Sequence, residues 1–262
     1  MSAKMNLIAC LIAALLLGCA VPTMADEAVD KAFDALKTYD WGTDRNVLKP
    51  LDDAVAASHG DAAARAALAK QLAAVLGTDA TQAAKDYACR KLSLIASAAE
   101  VPAIAPLLTD DKLSHMARYA LERMPCDEAV AAMRDALPTV KGRVKVGVIN
   151  SLAVRRDAAS TGALVALLKD SDAQVAGAAA SALGDVGSSE AAKALSGFVA
   201  AAPDSLKLVA ADAYLTCAER LVAAGKKLEA LAIYKALNKP EQPKHVQNAA
   251  KRGMLAAMSA KK

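Results

Sequence analysis

A recurring pair of apolar residues constrains the fold of this chain more than any other feature of its sequence. In each pair a large apolar residue stands four positions after a smaller one. The large members are Leu92, Leu121, Leu152, Leu183, Leu215 and Met254, and the small members are Ala88, Ala117, Val148, Ala179, Ala211 and Ala250. The pairs recur at intervals of about 30 residues, with a longer interval before the last pair. Residues four apart share one face of an α-helix, so the pattern predicts six helices that bury the same face.

Further apolar segments with helical periodicity lie between these six, such as residues 101–108 and 161–170. Helix-ending residues separate them, for example Pro125, Gly142 and Gly187. With 55% hydrophobic but only 3% aromatic residues, the chain favours helix over strand throughout. One helix pair buries too little apolar surface to be stable alone and must stack on its neighbours. We therefore expect an all-α fold, an α-solenoid of stacked antiparallel helix pairs.

Residues 172–184, "DAQVAGAAASALG", carry a more specific signal. They resemble the short bacterial type of HEAT-like repeat, whose pattern is D-x-x-V-x-x-A-A-x-A-L-G. The resemblance extends over about residues 82–258 and is strongest in the central repeats. This part of the sequence is similar to HEAT-repeat regions of exported bacterial proteins. It weakens towards the end, where residues 223–237 read more like a tetratricopeptide helix. The resemblance implies a superhelix of the HEAT or armadillo type that binds other proteins.

Residues 1–25 have the features of an export signal. Lys4 precedes an apolar segment at residues 7–17 that is short for a bilayer span. Two cleavage sites are compatible with the sequence. Signal peptidase would cut before Asp26, whereas the lipobox-like "LLGC" would make Cys19 an acylated N-terminus. Both readings place the protein in the periplasm or cell envelope, soluble or lipid-anchored.

The mature chain then divides into three regions by pattern. Residues 26–80 are helical but depart from the repeat, as terminal units of solenoids do because one side meets water. They form an N-terminal helical cap. Residues 81–225 contain the HEAT-like repeats, and residues 226–262 contain a final repeat with tetratricopeptide-like helices and a basic tail.

No enzyme motif is present in the sequence. The chain lacks G-x-S-x-G, H-E-x-x-H, G-x-x-x-x-G-K-[ST] and G-x-G-x-x-G. His59, His115 and His245 have no potential ligand partner at helical spacing and are expected on helix surfaces. We therefore predict no catalytic residue, no metal and no cofactor.

Tryptophan and cysteine are rare enough to be considered one by one. Trp41 is the single tryptophan, and we expect it to pack the first helix on the second, with a partner anchor as the alternative. Cys89, Cys126 and Cys217 have no C-x-x-C spacing and are expected as buried apolar side chains. A free thiol or one disulfide remains an alternative for an exported protein.

A candidate binding face follows from the helical register. The residue two positions before each large apolar residue lies about 200° round the helix and faces away from the core. This column and the basic residues beside it supply the candidate partner-binding residues Arg90, Lys91, Arg118, Tyr119, Asn150, Arg155, Ser181 and Arg252, with Ala213 as the fifth member of the column. Second helices of solenoid pairs usually line the concave face, so we expect a polar, mildly basic groove.

These observations predict a non-catalytic interaction scaffold or adaptor at the envelope. Its partner is another protein rather than nucleic acid, and it meets the membrane only through the alternative lipid anchor at Cys19. We expect a monomer or one component of a complex. The sequence leaves open an accessory or regulatory subunit of an envelope enzyme and an enzyme with an unrecognised site.

Overall fold

The computed structural model describes residues 24–259 as a succession of α-helices without strands in that range. Fourteen helices follow one another there. They are α1 (Met24–Thr38), α2 (Lys49–Ala57), α3 (Ala62–Leu76), α4 (Gln82–Ile95), α5 (Val101–Ile104), α6 (Ser114–Arg123), α7 (Asp127–Ala136), α8 (Gly142–Val154), α9 (Thr161–Leu167), α10 (Ala173–Val186), α11 (Ser189–Ala201), α12 (Lys207–Ala223), α13 (Lys227–Leu237) and α14 (Lys244–Ser259). Short 3-10 turns join several of them.

The helices are arranged in two layers, which confirms the predicted all-α solenoid. In one layer α4, α6, α8, α10 and α12 pack side by side, each on the next. The shorter helices α5, α7, α9, α11 and α13 form the second layer, and each packs on a helix of the first. The four leucines that anchor the repeat on α4 to α10 are fully buried, as are their partners four residues earlier. Neighbouring pairs therefore share their apolar sides.

Helix α10 illustrates how the sequence sets each repeat. The Asp172 carboxylate caps its N-terminus by accepting a hydrogen bond from the Gln174 N–H at 2.8 Å. The helix ends at Gly187, whose φ of 63° is the left-handed value that favours glycine. Between these ends alanine and glycine dominate, because α10 is covered by α8 on one side and by α12 on the other.

Helices α10 and α12 approach each other closely at Gly184. A Cβ atom on Gly184 would lie 2.6 Å from the Ala213 carbonyl oxygen. Only glycine leaves room for backbone at that distance, and Ala213 itself is buried. The prediction that Ala213 faces away from the core is therefore wrong. The buried large residue on α12 is Tyr214, which follows Leu183 by the same interval that separates Leu183 from Leu152, whereas Leu215 is half-buried.

The N-terminal helices cover the first repeat, and here the expectation for Trp41 is wrong. The interface around α1 and α2 is filled by Leu36, Leu48 and Leu51, which are fully buried. Trp41 is 62% exposed, in the turn that follows α1. The Trp41 backbone N–H donates to the Asp40 carboxylate at 2.8 Å.

Cysteine and histidine positions agree largely with expectation. The three described cysteines are free, with Cys89 and Cys217 buried and Cys126 half-buried. All three histidines are exposed. No described helix has the length and apolar character that a bilayer span requires. The export signal and Cys19 lie outside the described residues, so both cleavage readings remain predictions.

Candidate binding face

Four of the predicted column residues lie at equivalent places on consecutive helices. Arg90, Tyr119, Asn150 and Ser181 stand on α4, α6, α8 and α10, each two residues before a buried leucine. Tyr119 is half-buried and the other three are exposed. On α12 the shifted register places exposed Asp212, not Ala213, in this row.

A second row of residues accompanies the first, and its members Leu94, Val154 and Asp185 were not identified from the sequence. The residue two positions after each leucine is also about 200° from it, so it faces the same way. Leu94, Arg123, Val154 and Asp185 form this row. Leu94 and Val154 are each 66% exposed. We call the two rows together, residues 90, 94, 119, 123, 150, 154, 181 and 185, the ladder face.

An arginine–tyrosine cluster occupies one end of the ladder face. The Arg123 guanidinium lies over the Tyr119 ring, 3.7 Å from its centroid, and the Arg90 guanidinium is 5.8 Å from the same centroid. Both distances are within cation–π range. Arg90 also pairs with Asp86, Nε to Oδ2 at 3.1 Å. The cluster thus presents an aromatic ring and two guanidinium groups together at the surface.

A polar cavity of about 350 Å³ lies further along, between α8 and α10. Its lining includes two predicted residues, Asn150 and Ser181, with Arg156, Asp185 and Arg220. Arg220 and Asp185 form an ion pair across it, Nη2 to Oδ1 at 3.2 Å. The side chains of Asn150, Ser181 and Arg156 have no hydrogen bond or ion pair within the described residues.

Comparison with known proteins identifies the repeat. A model of HEAT repeats matches residues 130–214, which run from α7 to α12 and include every lining residue of the polar cavity except Arg220. The helix pairs in this matched region are therefore HEAT-like repeats. A search of curated proteins found no match.

Two crystal structures of engineered proteins are similar to the chain. One is 21% identical, with 89% of this chain and 69% of that chain covered and a TM-score of 0.44. The other is 22% identical, with 88% and 96% covered and a TM-score of 0.32.

Three predicted binding residues instead hold neighbouring helices of the HEAT-like stack together. Lys91 Nζ lies 2.6 Å from the Asp52 carboxylate on α2. Arg118 Nη1 donates to the Gly147 carbonyl on α8 at 3.1 Å, and burial lowers the pKa of its guanidinium. These contacts join residues far apart in the sequence, so spacing within one helix could not reveal them.

Arg155, at the end of α8, also joins two neighbouring helices. Its guanidinium donates to the Met124 and Cys126 carbonyls, which follow the end of α6. Arg252 is exposed on α14 and lines a different, shallower cavity with Glu219 and Tyr234. The ladder face therefore retains Arg90, Tyr119, Asn150 and Ser181 from the prediction.

Strongly shifted side-chain pKa values occur in helix interfaces of this HEAT-like protein. Burial raises the pKa of the Cys89 thiol to about 12 and that of Cys217 to about 11. Burial and a hydrogen bond to Asp52 raise the pKa of the Tyr87 hydroxyl. Among the described residues no group of His, Cys, Asp or Glu side chains is placed to hold a metal ion.

Proposed function

We propose that this protein is a non-catalytic HEAT-repeat scaffold, exported to the periplasm or cell envelope, that binds another protein through the ladder face. The proposal depends on one observation: each buried leucine of the repeat is flanked, two positions before and after it, by residues of the ladder face. Buried leucines fix four consecutive helices in register, and the same register aligns the exposed residues two positions on either side. A partner can therefore contact several repeats at once without any rearrangement of the stack.

The composition of the ladder face also favours binding. Aromatic and arginine side chains are enriched at protein interfaces, and the ladder face combines Tyr119 and Arg123 with the exposed apolar side chains of Leu94 and Val154. Leu94 and Val154, each 66% exposed, add apolar area to this face that a partner could cover.

The test is affinity capture of partners from envelope fractions, followed by mass spectrometry. Arg123→Glu combined with Val154→Asp changes two exposed residues of the ladder face. Lys193→Glu combined with Ala200→Asp makes matched changes at two exposed positions of α11, in the other layer. We expect a partner that the wild type and the α11 variant retain and the ladder variant loses. Equal capture by all three proteins would contradict the assignment of the face.

Export is tested separately, by the mass of the mature protein from the envelope. A new N-terminus at Asp26 indicates the soluble form, and a lipid-modified N-terminus at Cys19 indicates the anchored form. An intact Met1 in cytoplasmic fractions would contradict export.

A further inference from the structure

Arg156 has an unusual backbone conformation. Its φ is 50°, and it is the one residue other than glycine with positive φ in the part of the chain that the structure describes. It follows the end of α8, where its N–H donates to the Ala153 carbonyl at 2.9 Å and the Asp157 N–H donates to Leu152 at 3.1 Å. This pair of bonds is the Schellman motif, whose left-handed residue is normally glycine.

The next two helices of the same layer, α10 and α12, are each followed by a glycine with positive φ. Gly187, one repeat later, has φ of 63°, and Gly225 after α12 has φ of 78° within the same pair of backbone bonds. Helices α4 and α6 end instead in extended backbone at Ala96 and Met124, so α8 is the one helix of this layer that ends on a left-handed residue other than glycine. An L-residue is strained in this region because its Cβ crowds the following carbonyl oxygen.

The Arg156 side chain does not compensate for this strain inside the molecule. It is exposed and lines the polar cavity, yet it forms no hydrogen bond or ion pair within residues 24–259. The adjacent Arg155 is bonded to backbone carbonyls and Arg220 is paired with Asp185. A strained residue whose side chain has no internal contact points to a role in binding.

The cavity around Arg156 suits a single negative charge. Arg156 and Arg220 supply two positive charges and Asp185 one negative charge, and Asn150 and Ser181 add unpaired hydrogen-bonding groups. A guanidinium fork matches a carboxylate in geometry. The three charged groups together carry a net charge of +1, which one carboxylate neutralises and a dianionic phosphate would exceed. Val154 at the rim offers aliphatic contact to a neighbouring residue of the ligand.

We propose that this cavity binds the carboxylate of an Asp or Glu side chain in an extended segment of the partner protein. The inference rests on the proposed function, because it assigns one contact of the ladder face. Packed helices lie about 8–10 Å apart and an extended chain advances about 3.3 Å per residue. The acidic residue of the partner would therefore lie about three residues from the part that meets the helix next along the face.

The experiment selects peptides from a random dodecamer library, displayed with the peptide C-terminus fused, on the full-length protein. We expect enriched sequences with an Asp or Glu next to an aliphatic residue. A synthetic copy should lose at least tenfold in affinity, measured by fluorescence anisotropy, when its acidic residue becomes Asn or Gln. The Arg156→Gly variant of the protein should bind the original peptide with an affinity that is lower by a similar factor. Arg156→Gly fits the backbone better than the wild type, so lost binding cannot be attributed to misfolding.

Two controls separate this inference from the function on which it rests. If peptides are enriched and lost with Arg123→Glu but bind Arg156→Gly as tightly as wild type, the ladder face binds proteins and the carboxylate site is refuted. Enrichment of peptides without an acidic residue would refute it equally. If no peptide is enriched on the wild type, both the carboxylate site and peptide binding by the ladder face are contradicted.

Discussion

Replacing Gly184 by alanine tests whether the repeats are held as closely as the structure indicates. The added Cβ would lie 2.6 Å from the Ala213 oxygen, 3.1 Å from its Cα and 3.2 Å from its carbonyl carbon. All three are backbone atoms, so α12 cannot relieve the overlap by a change of rotamer. Ordinary C···O contacts are about 3.3 Å or longer, so the two helices would have to separate by roughly 0.7 Å.

The expected cost follows from this overlap. Overpacking of this kind typically costs about 1–3 kcal/mol. Alanine in place of glycine within a helix stabilises the folded state by about 0.5–1 kcal/mol, because alanine has the higher helix propensity. We therefore expect Gly184→Ala to lower the free energy of unfolding by up to about 2 kcal/mol.

Gly197→Ala is the matched control for this change. Gly197 is exposed on α11, and a Cβ there meets nothing within 4 Å. It gains the same helix propensity without a clash, so this variant should be more stable than wild type by about 0.5–1 kcal/mol. Urea unfolding followed by circular dichroism measures both. Equal stabilities of the two variants would refute the close approach of α10 and α12.

Three further predictions concern stability and thiol reactivity. Arg156→Gly should raise the free energy of unfolding by about 1 kcal/mol because it relieves the left-handed strain, and a lower urea midpoint would contradict this. Burial raises the pKa of Asp52, but hydrogen bonds from Lys91, Tyr87 and Arg45 outweigh it and lower the pKa below 3.8. Its contribution to stability should thus be present above about pH 4 and disappear as the pH falls through the lowered pKa. The stability difference between wild type and Asp52→Asn should then shrink below about pH 4. A difference that stays constant with pH would contradict the lowered pKa of Asp52. Alkylation at about pH 8 followed by mass mapping should modify half-buried Cys126 before the buried thiols of Cys89 and Cys217, and modification of the buried pair first would contradict their burial.

The repeat register was predictable from the sequence wherever one large residue stands out. Leu92, Leu121, Leu152 and Leu183 each lie among small or polar neighbours, so their spacing fixes the buried face. On α12 two large residues are adjacent, Tyr214 and Leu215, and periodicity does not choose between them. The glycine on α10 decides, because only one register brings the Ala213 backbone against it.

The candidate face was predictable in part for a related reason. Arg90 and Ser181 each stand two residues before a buried leucine, and helical geometry places that position on the side opposite the leucine. Leu94 and Val154 stand two residues after a buried leucine, so the same geometry could have identified them. The contacts of Lys91 and Arg118 depend on residues of other helices, which no spacing within one helix contains. The strain at Arg156 depends on where α8 ends, and element boundaries are poorly determined by sequence.

The equal intervals from Leu152 to Leu183 and from Leu183 to Tyr214 make the length of this protein adjustable. Each central module contacts only the modules before and after it. Removing residues 153–183 would join Leu152 directly to Gly184, which would then meet the same Ala213 backbone as before. Duplication of that stretch would be accommodated equally well. Evolution or design can therefore lengthen or shorten the ladder face in steps of one helix pair, without redesigning either end.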